Sequence, residues 1–517
     1  MSRFFNTAGP CRPEDHYTLP SLPRLPKVMK IIEQKGYFVI HAPRQTGKTT
    51  AMLDLADRLT ASGKFISAVV SMEIGAAFPD DIGAMERAVL SAWQDAFEWQ
   101  LPDDLRPPPW PETEPGSAIR KSLQAWVRAA SRPVILFIDE IDAIQNSPLI
   151  SVLRQLRDGY PGRPKAFPWS LALIGMRDVR DYKAASGGGE QLNTSSPFNI
   201  KIESMSIGNF TLADVTALYH QHTDDTGQKF TPEAIALAFE LTSGQPWLVN
   251  ALANRAVSEI APDPETDITP AIIEQARRIL IARQDTHLDS LAERLREPRI
   301  RSVLEPILSG SMSPPDMYPD DIQYALDLGL VQVGERGDIE IANPVYREII
   351  PRVLGMTARL FIPALHPVWL NADGSLNPKH LLIEFLRFWK QHGQPLMNSA
   401  PYHEIAPHLV MMAFLDRVAN SGGGVDREYA TGAGRMDLCL RYGAVKIGIE
   451  IKVWRDGESD PLTDGLLQID RYLSGLELST GWLVIFNRRS GLPPISDRTT
   501  ATSATSPAGR DITVIRG

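Results

Sequence analysis

YFVIHAPRQTGKTT, residues 37–50, is an apolar run that breaks into a polar loop and then a helix pattern, and its reading decides the fold of the first half of the chain. A loop that grips phosphate needs inward-turned backbone N–H groups, a helix N-terminus behind them, a lysine and a metal-holding hydroxyl. Gly47, Lys48 and Thr49 supply these, and Ala42 stands where the first glycine of G-x-x-x-x-G-K-[ST] belongs. Alanine fits there if its φ stays negative. Ala42, Pro43, Arg44, Gln45, Thr46, Gly47, Lys48, Thr49 and Thr50 are therefore the candidate nucleotide-binding residues; a basic turn before a helix is the plain alternative.

Further on, Val134–Ile138 is a buried-strand run that ends in Asp139-Glu140. An acid at the carboxyl end of a parallel strand is where such sheets hold Mg²⁺. Asp139 is expected to share that ion with Thr49, while Glu140 orients or deprotonates a water. Asp142 reads as a cap for the next helix. SLALIGM delivers Arg177 to the same edge, where it senses a terminal phosphate or is an ordinary surface arginine; both readings stand.

The 517 residues are too many for one hydrophobic core. With 43% hydrophobic and 22% charged residues and no apolar stretch of membrane length, the expectation is a cytoplasmic protein without a membrane partner. The N-terminus lacks a secretion-signal core, and Cys11 and Cys439 make neither a disulfide framework nor a zinc site. A net charge of −9 excludes a uniformly basic surface but not a local basic groove.

The chain divides by pattern into an α/β multidomain protein. Residues 1–27 are a Pro-rich arm, and 28–209 alternate apolar runs with helical patterns, as a parallel sheet does. Residues 210–284 read as helices, and 285–356 as helices with a strand pair, which suggests a winged helix. A linker is expected at 357–380 and a final domain at 381–517, with 488–509 a Ser/Thr/Pro-rich loop. Arg277, Arg278, Arg283, Arg294, Arg296, Arg299 and Arg301 cluster around the winged-helix entry; interspersed acids make a salt-bridged surface the alternative to a phosphate-contacting one.

In GRMDLCLRYGAVKIGIEIKVW, residues 434–454, two alternating runs meet at Gly443-Ala444. A two-residue turn there pairs Tyr442 with Val445 and sets Asp437 opposite Glu450, with Lys452 beside Glu450 on the same face. Facing carboxylates call for a cation between them. The opposing reading of Glu450 and Lys452 is an exposed strand face. Trp454 and Arg455 stack on or contact a nucleic-acid backbone, or pack at the strand end. Cys439 reads as filler, and His403 and His408 do not share a helix face as a zinc pair would.

On the loop at 42–50, FIDEID, GMRD and SGQPWLVN (243–250), residues 28–283 resemble AAA-type P-loop ATPases of the branch shared with origin-recognition and STAND regulatory proteins. The resemblance implies ATP and Mg²⁺, a helical lid followed by a winged helix, and a homo-oligomer formed through the ATPase domain. No arginine finger stands out. Asp437…Glu450-x-Lys452 is similar to the PD-(D/E)xK nuclease superfamily, whose restriction-endonuclease-like α/β core is a helix, a three-stranded meander, a helix and a further strand. That likeness implies Mg²⁺ on Asp437, Glu450 and the Ile451 carbonyl, catalysis by these acids with Lys452, support from Gln468 and Tyr472, and Glu404 as an added ligand. DNA is the implied partner. A regulatory or remodelling ATPase whose last domain binds without cutting is the alternative.

Overall fold

The computed structural model describes residues 3–176, 200–283, 294–295, 297–309, 318–334, 337–354, 367–399, 406–419, 423–428, 437–475 and 478–517, without the side chains of 309, 397–399, 423–424, 426–428 and 437. The chain forms two compact units, Met1–Ala282 with Leu326–Leu330, and Arg283–Ala325 with Val331–Gly517. No helix among the described residues is long and apolar enough to cross a membrane.

The first unit is built on a three-layer α/β domain with a parallel sheet at its centre. Strands β1 (Tyr37–His41), β2 (Ile66–Ser71), β3 (Val134–Asp139), β4 (Ser170–Gly175) and β5 (Lys201–Ser206) form one sheet in the order β2-β3-β4-β1-β5. Every pairing in it is parallel. Successive strand side chains point to opposite faces, so a sheet covered on both faces needs continuous apolar runs. Tyr37 and Val39 enter one core with Met85, Trp93, Ile119, Trp126 and Val152 of α3 (Ile82–Gln100), α4 (Ala118–Ala129) and α5 (Asn146–Gly159). Phe38 and Ile40 enter the other, with Ile31 of α1 (Val28–Glu33) and Met52, Leu55 and Leu59 of α2 (Lys48–Ala61). β1 lies where the strand order reverses, so its carboxyl end opens into a crevice.

Helices α6 (Leu212–Thr226), α7 (Pro232–Thr242), α8 (Pro246–Arg255) and α9 (Pro270–Arg283) follow. Thr211 and Asp214 cap α6 reciprocally, and Pro opens three of the four, where its missing N–H costs nothing. The N-terminal arm packs on these helices. Phe5 and Tyr17 stack with Tyr219, His222 and Phe230, Arg3 holds Asp225 through two 2.9 Å bonds, and the Trp247 indole donates to the Thr7 carbonyl.

In the second unit, helices α10 (Pro298–Ser309), α11 (Pro319–Asp327, whose last two residues belong to the first unit) and α12 (Pro344–Leu354) accompany a two-stranded antiparallel sheet of β6 (Val331–Val333) and β7 (Ile339–Ile341), and α13 (Pro378–Ser399) follows. A six-stranded sheet follows in the order β12-β13-β11-β10-β9-β8. Its members are β8 (Gly423–Glu428), β9 (Asp437–Tyr442), β10 (Val445–Trp454), β11 (Thr480–Asn487), β12 (Thr500–Thr505) and β13 (Asp511–Arg516). β8, β9 and β10 are an antiparallel meander, and β10, β11 and β13 run parallel. Helix α14 (Ala406–Ala419), buried at every position but Arg417, precedes the meander, and α15 (Leu462–Gly475) joins β10 to β11. Residues 488–509 are not a plain loop: a turn of helix, α16 (Ile495–Arg498), and β12 lie within them. Thr500, Thr502 and Thr505 suit a pleated edge, and β12 pairs with β13. The expected linker also ends early, because a 22-residue helix starts at Pro378.

Candidate functional site

At the end of β1 the chain turns through a loop held open by left-handed backbone at Gln45 (φ +59°) and Gly47 (φ +82°). Gly47 caps α2, a conformation in which a side chain is strained. Ala42 is buried with negative φ, so the missing first glycine costs the loop no strain. Thr46 Oγ1 donates to the Pro43 carbonyl at 2.9 Å and braces the loop. Lys48 Nζ reaches back to the carbonyls of Ala42 (2.7 Å) and Pro43 (2.8 Å) and sits at the loop's centre. Burial lowers its pKa, against the pull of Asp139, Asp142 and Glu140.

Thr49 Oγ1 lies 2.5 Å from Asp139 Oδ2, which brings α2 and the end of β3 to one point. The Glu140 N–H donates to Asp139 Oδ1 at 2.8 Å. Glu140 itself adopts left-handed backbone (φ +53°), uncommon for a residue with a side chain. Burial, followed by repulsion from Glu73, Asp139 and Asp142, pushes its carboxyl up to about 7. Burial raises Asp139 as well. An all-oxygen pair of hydroxyl and carboxylate within a cluster of acids suits Mg²⁺.

Two features of this site were not legible in the sequence. Arg24, from the Pro-rich arm, donates to the carbonyls of Thr46 (2.9 Å) and Gly208 (2.6 Å) and lies over Phe210, 4.9 Å from its ring centre. Burial lowers its pKa to about 10. Thr50, expected on the nucleotide, accepts the Cys11 N–H with its hydroxyl at 3.0 Å and so anchors the arm. Only a basic residue among prolines marked Arg24 beforehand. Arg177 lies outside the described residues, and Arg44 and Gln45 are exposed at the loop tip.

In the second unit the hairpin has the expected register. Tyr442 pairs with Val445, Cys439 with Gly448 and Leu438 with Ile449, around a turn with Gly443 at φ +57°. One step further, that register sets the Asp437 backbone opposite Glu450; the Asp437 side chain and all of Glu404 lie outside the described residues. Glu450 and Lys452 are not an exposed strand face. They are 1% and 7% exposed, and Lys452 Nζ lies 2.5 Å from Glu450 Oε1. Lys452 Nζ also donates to Gln468 Oε1 on α15. Tyr472, one helical turn beyond, is buried on the same face with Cys439, which is packing among Ile469 and Leu473. Gly448 lets α15 approach, since a Cβ there would lie 2.7 Å from Leu473. Ile451 faces the other way and is buried, which leaves only its carbonyl as a ligand. Among the described residues no group of three or more His, Cys, Asp or Glu forms a metal cluster.

Of the arginines clustered at 277–301, Arg277, Arg294 and Arg299 hold Glu274, Glu297 and Asp321 at 2.8, 2.7 and 2.6 Å, which matches the salt-bridged alternative. Arg296 lies outside the described residues.

No protein-family model and no curated protein match the chain. Among solved structures it is similar to a Walker-type ATPase of Pyrococcus abyssi (14% identity, TM-score 0.46, covering 67% of this chain and 99% of that one). It is also similar to the Holliday junction branch migration motor RuvB of Thermotoga maritima (13%, TM-score 0.34, 63% and 92%) and to the ORC1 protein of Aeropyrum pernix in complex with DNA (14%, TM-score 0.34, 67% and 95%). These comparisons lend nothing to the nuclease likeness.

Proposed function

We propose that the chain binds and hydrolyses ATP at residues 42–50 and, in its C-terminal sheet, cleaves DNA with Mg²⁺, the first activity regulating the second. The convergence of Thr49 and Asp139 at 2.5 Å beneath a lysine-filled loop supports the ATPase half. Lys48 would neutralise the terminal phosphates, loop N–H groups would hold their oxygens, and Glu140, near 7, would take a proton from water at neutral pH. Thr49 and Asp139 would hold Mg²⁺.

The burial of Glu450 against Lys452 carries the nuclease half. A strand-face ion pair gains little in water, whereas this one is desolvated and fastened to Gln468. Removing two charges from water costs several kcal/mol per ion unless the geometry compensates, so a function is the economical reason for its presence. Asp437, Glu450 and the Ile451 carbonyl would supply an oxygen-only donor set of the kind that suits Mg²⁺, which when bound polarises a phosphate oxygen and acidifies water. Lys452 would orient that water and Gln468 would hold Lys452.

The test is Mg²⁺-dependent nicking of supercoiled plasmid by wild type, Glu450→Gln and Lys452→Ala, with and without ATP, alongside nucleotide binding. Nicking by wild type alone, altered by ATP, is expected. ATP turnover with no nicking by any form would sink the nuclease half and leave a regulatory ATPase. DNA-stimulated turnover abolished in Glu140→Gln, again without nicking, would identify a remodelling enzyme.

A further inference from the structure

The carboxyl ends of β10, β11 and β13 gather arginines around Trp454, of which only Arg455 was marked by the sequence. Trp454 ends β10 opposite Asn487 of β11, and Arg516 ends β13 opposite Ile485. Around the Trp454 ring, the Arg489 guanidinium lies 3.5 Å and that of Arg516 5.7 Å from the centre. Arg455 follows Trp454 directly, and the Arg488 N–H donates to the Trp454 carbonyl at 2.8 Å. Arg498 closes the group from the end of α16.

The nearby acids are spoken for. Asp460 holds Arg516 at 2.8 Å, Glu458 binds the Arg455 backbone at 3.0 Å and its guanidinium at 3.8 Å, and both Asp456 oxygens accept the Ser490 N–H. Among the described residues no carboxylate lies within ion-pair distance of Arg488, Arg489 or Arg498, in contrast to the paired Arg277, Arg294 and Arg299. Arg455 Nη2 and Arg498 Nε are buried without a hydrogen-bond partner. Burial lowers the pKa of Arg488 and Arg498, and neighbouring arginines lower it further. Like charges pressed together with open donors lack their counter-ion.

We propose that Arg488 and Arg498, with Arg455, form a binding site for the phosphodiester backbone of a nucleic-acid strand, and that Arg489 is fixed in place by stacking on Trp454. Guanidinium forks match phosphate oxygens in a bidentate way. The choice of nucleic acid over free phosphate rests on the nuclease reading: Trp454 lies two residues beyond Lys452 on the same strand face, roughly 7 Å along it.

The test uses the full chain without metal, so that binding is read apart from cutting. A short fluorescein-labelled duplex is titrated by anisotropy over a range of salt. In Arg488→Gln/Arg498→Gln, affinity is expected to fall about tenfold or more and the slope of log K against log salt by about two, near one per lost phosphate contact. Arg488→Lys/Arg498→Lys keeps the charges and is expected to keep the slope, as a purely structural role would not. An unchanged slope in the glutamine variant, or a slope lost equally in the lysine variant, overturns the site. Displacement of the duplex from wild type by inorganic phosphate at equal concentration overturns the nucleic-acid assignment. Wild-type binding with no nicking when Mg²⁺ is restored sinks the nuclease reading alone.

Discussion

The two candidate sites hold their acids in opposite ways. Glu140, beside the phosphate loop, lies among Glu73, Asp139 and Asp142, and its carboxyl rises to about 7. Glu450 is more deeply buried, yet a lysine lies 2.5 Å from it. The first cluster sets four acids against Lys48 and Arg44, and under the proposed function a Mg²⁺ ion would complete it. The second carries its cation in the chain two residues away. Local sequence decides which: FIDEID concentrates acids after a strand, whereas E-x-K sets opposite charges on one strand face.

That contrast breaks most visibly at the lysines. Lys48→Ala removes the loop's one central cation, and ATP turnover is expected to fall about 10³-fold, as when a preorganised charge-stabilising donor is lost. The unfolding of the second unit should not move. A coupled turnover assay checks the first and urea unfolding the second; near-normal turnover would mean that the loop is only a basic turn.

Lys452→Ala tests the opposite claim. It leaves Glu450 buried without its cation, and the second unit is expected to lose about 3–5 kcal/mol. Lys452→Met combined with Glu450→Gln should recover most of that while remaining unable to nick DNA. The urea midpoint of each variant reads the difference. A Lys452→Ala midpoint equal to wild type would show that the pair is not desolvated.

A pH series sharpens the comparison. The Glu140 carboxyl sits above the ordinary carboxylate range of about 4.3. The native state therefore binds its proton more tightly than the unfolded chain does. Charging Glu140 subtracts stability from the first unit as pH rises from about 4.3 through about 7. Catalysis runs the other way, because only the deprotonated form accepts a proton. Turnover is expected to fall about tenfold per pH unit below about 7, and Glu140→Gln should remove both the activity and this limb of the stability profile. A wild-type profile flat from pH 5 to 8 would refute Glu140 as the base.

How much of this was legible depended on whether the signal was local. β1 to β4 are buried on both faces and show as apolar runs, and Gly443 fixes the hairpin register by itself. β5 reads KIESMS with only Met205 buried, and β12 reads TATSAT; both are edge strands with little apolar pattern, and both escaped notice. The gathering of Arg455, Arg488, Arg489, Arg498 and Arg516 was invisible because it needs three strand ends brought together by the sheet order. Arg24 was hidden for the same reason, since its partners Thr46 and Gly208 lie 22 and 184 residues away.

The smallest effect separates motif from geometry at Thr50. By sequence it is the last residue of the phosphate loop, yet its hydroxyl accepts from Cys11 of the arm. Thr50→Val removes one hydrogen bond and leaves the Cys11 N–H to water, which costs about 1 kcal/mol or about fivefold in arm opening. Limited proteolysis within residues 1–27 should quicken by that factor while ATP turnover at saturating nucleotide stays at the wild-type value. Because valine keeps the β-branched shape and α2 keeps its start at Lys48, a change in the helix itself is not expected. The reverse result, slower turnover with an unchanged cleavage rate, would return Thr50 to the nucleotide and show that the arm is held by its contacts with Tyr219, Phe230, Asp225 and Trp247.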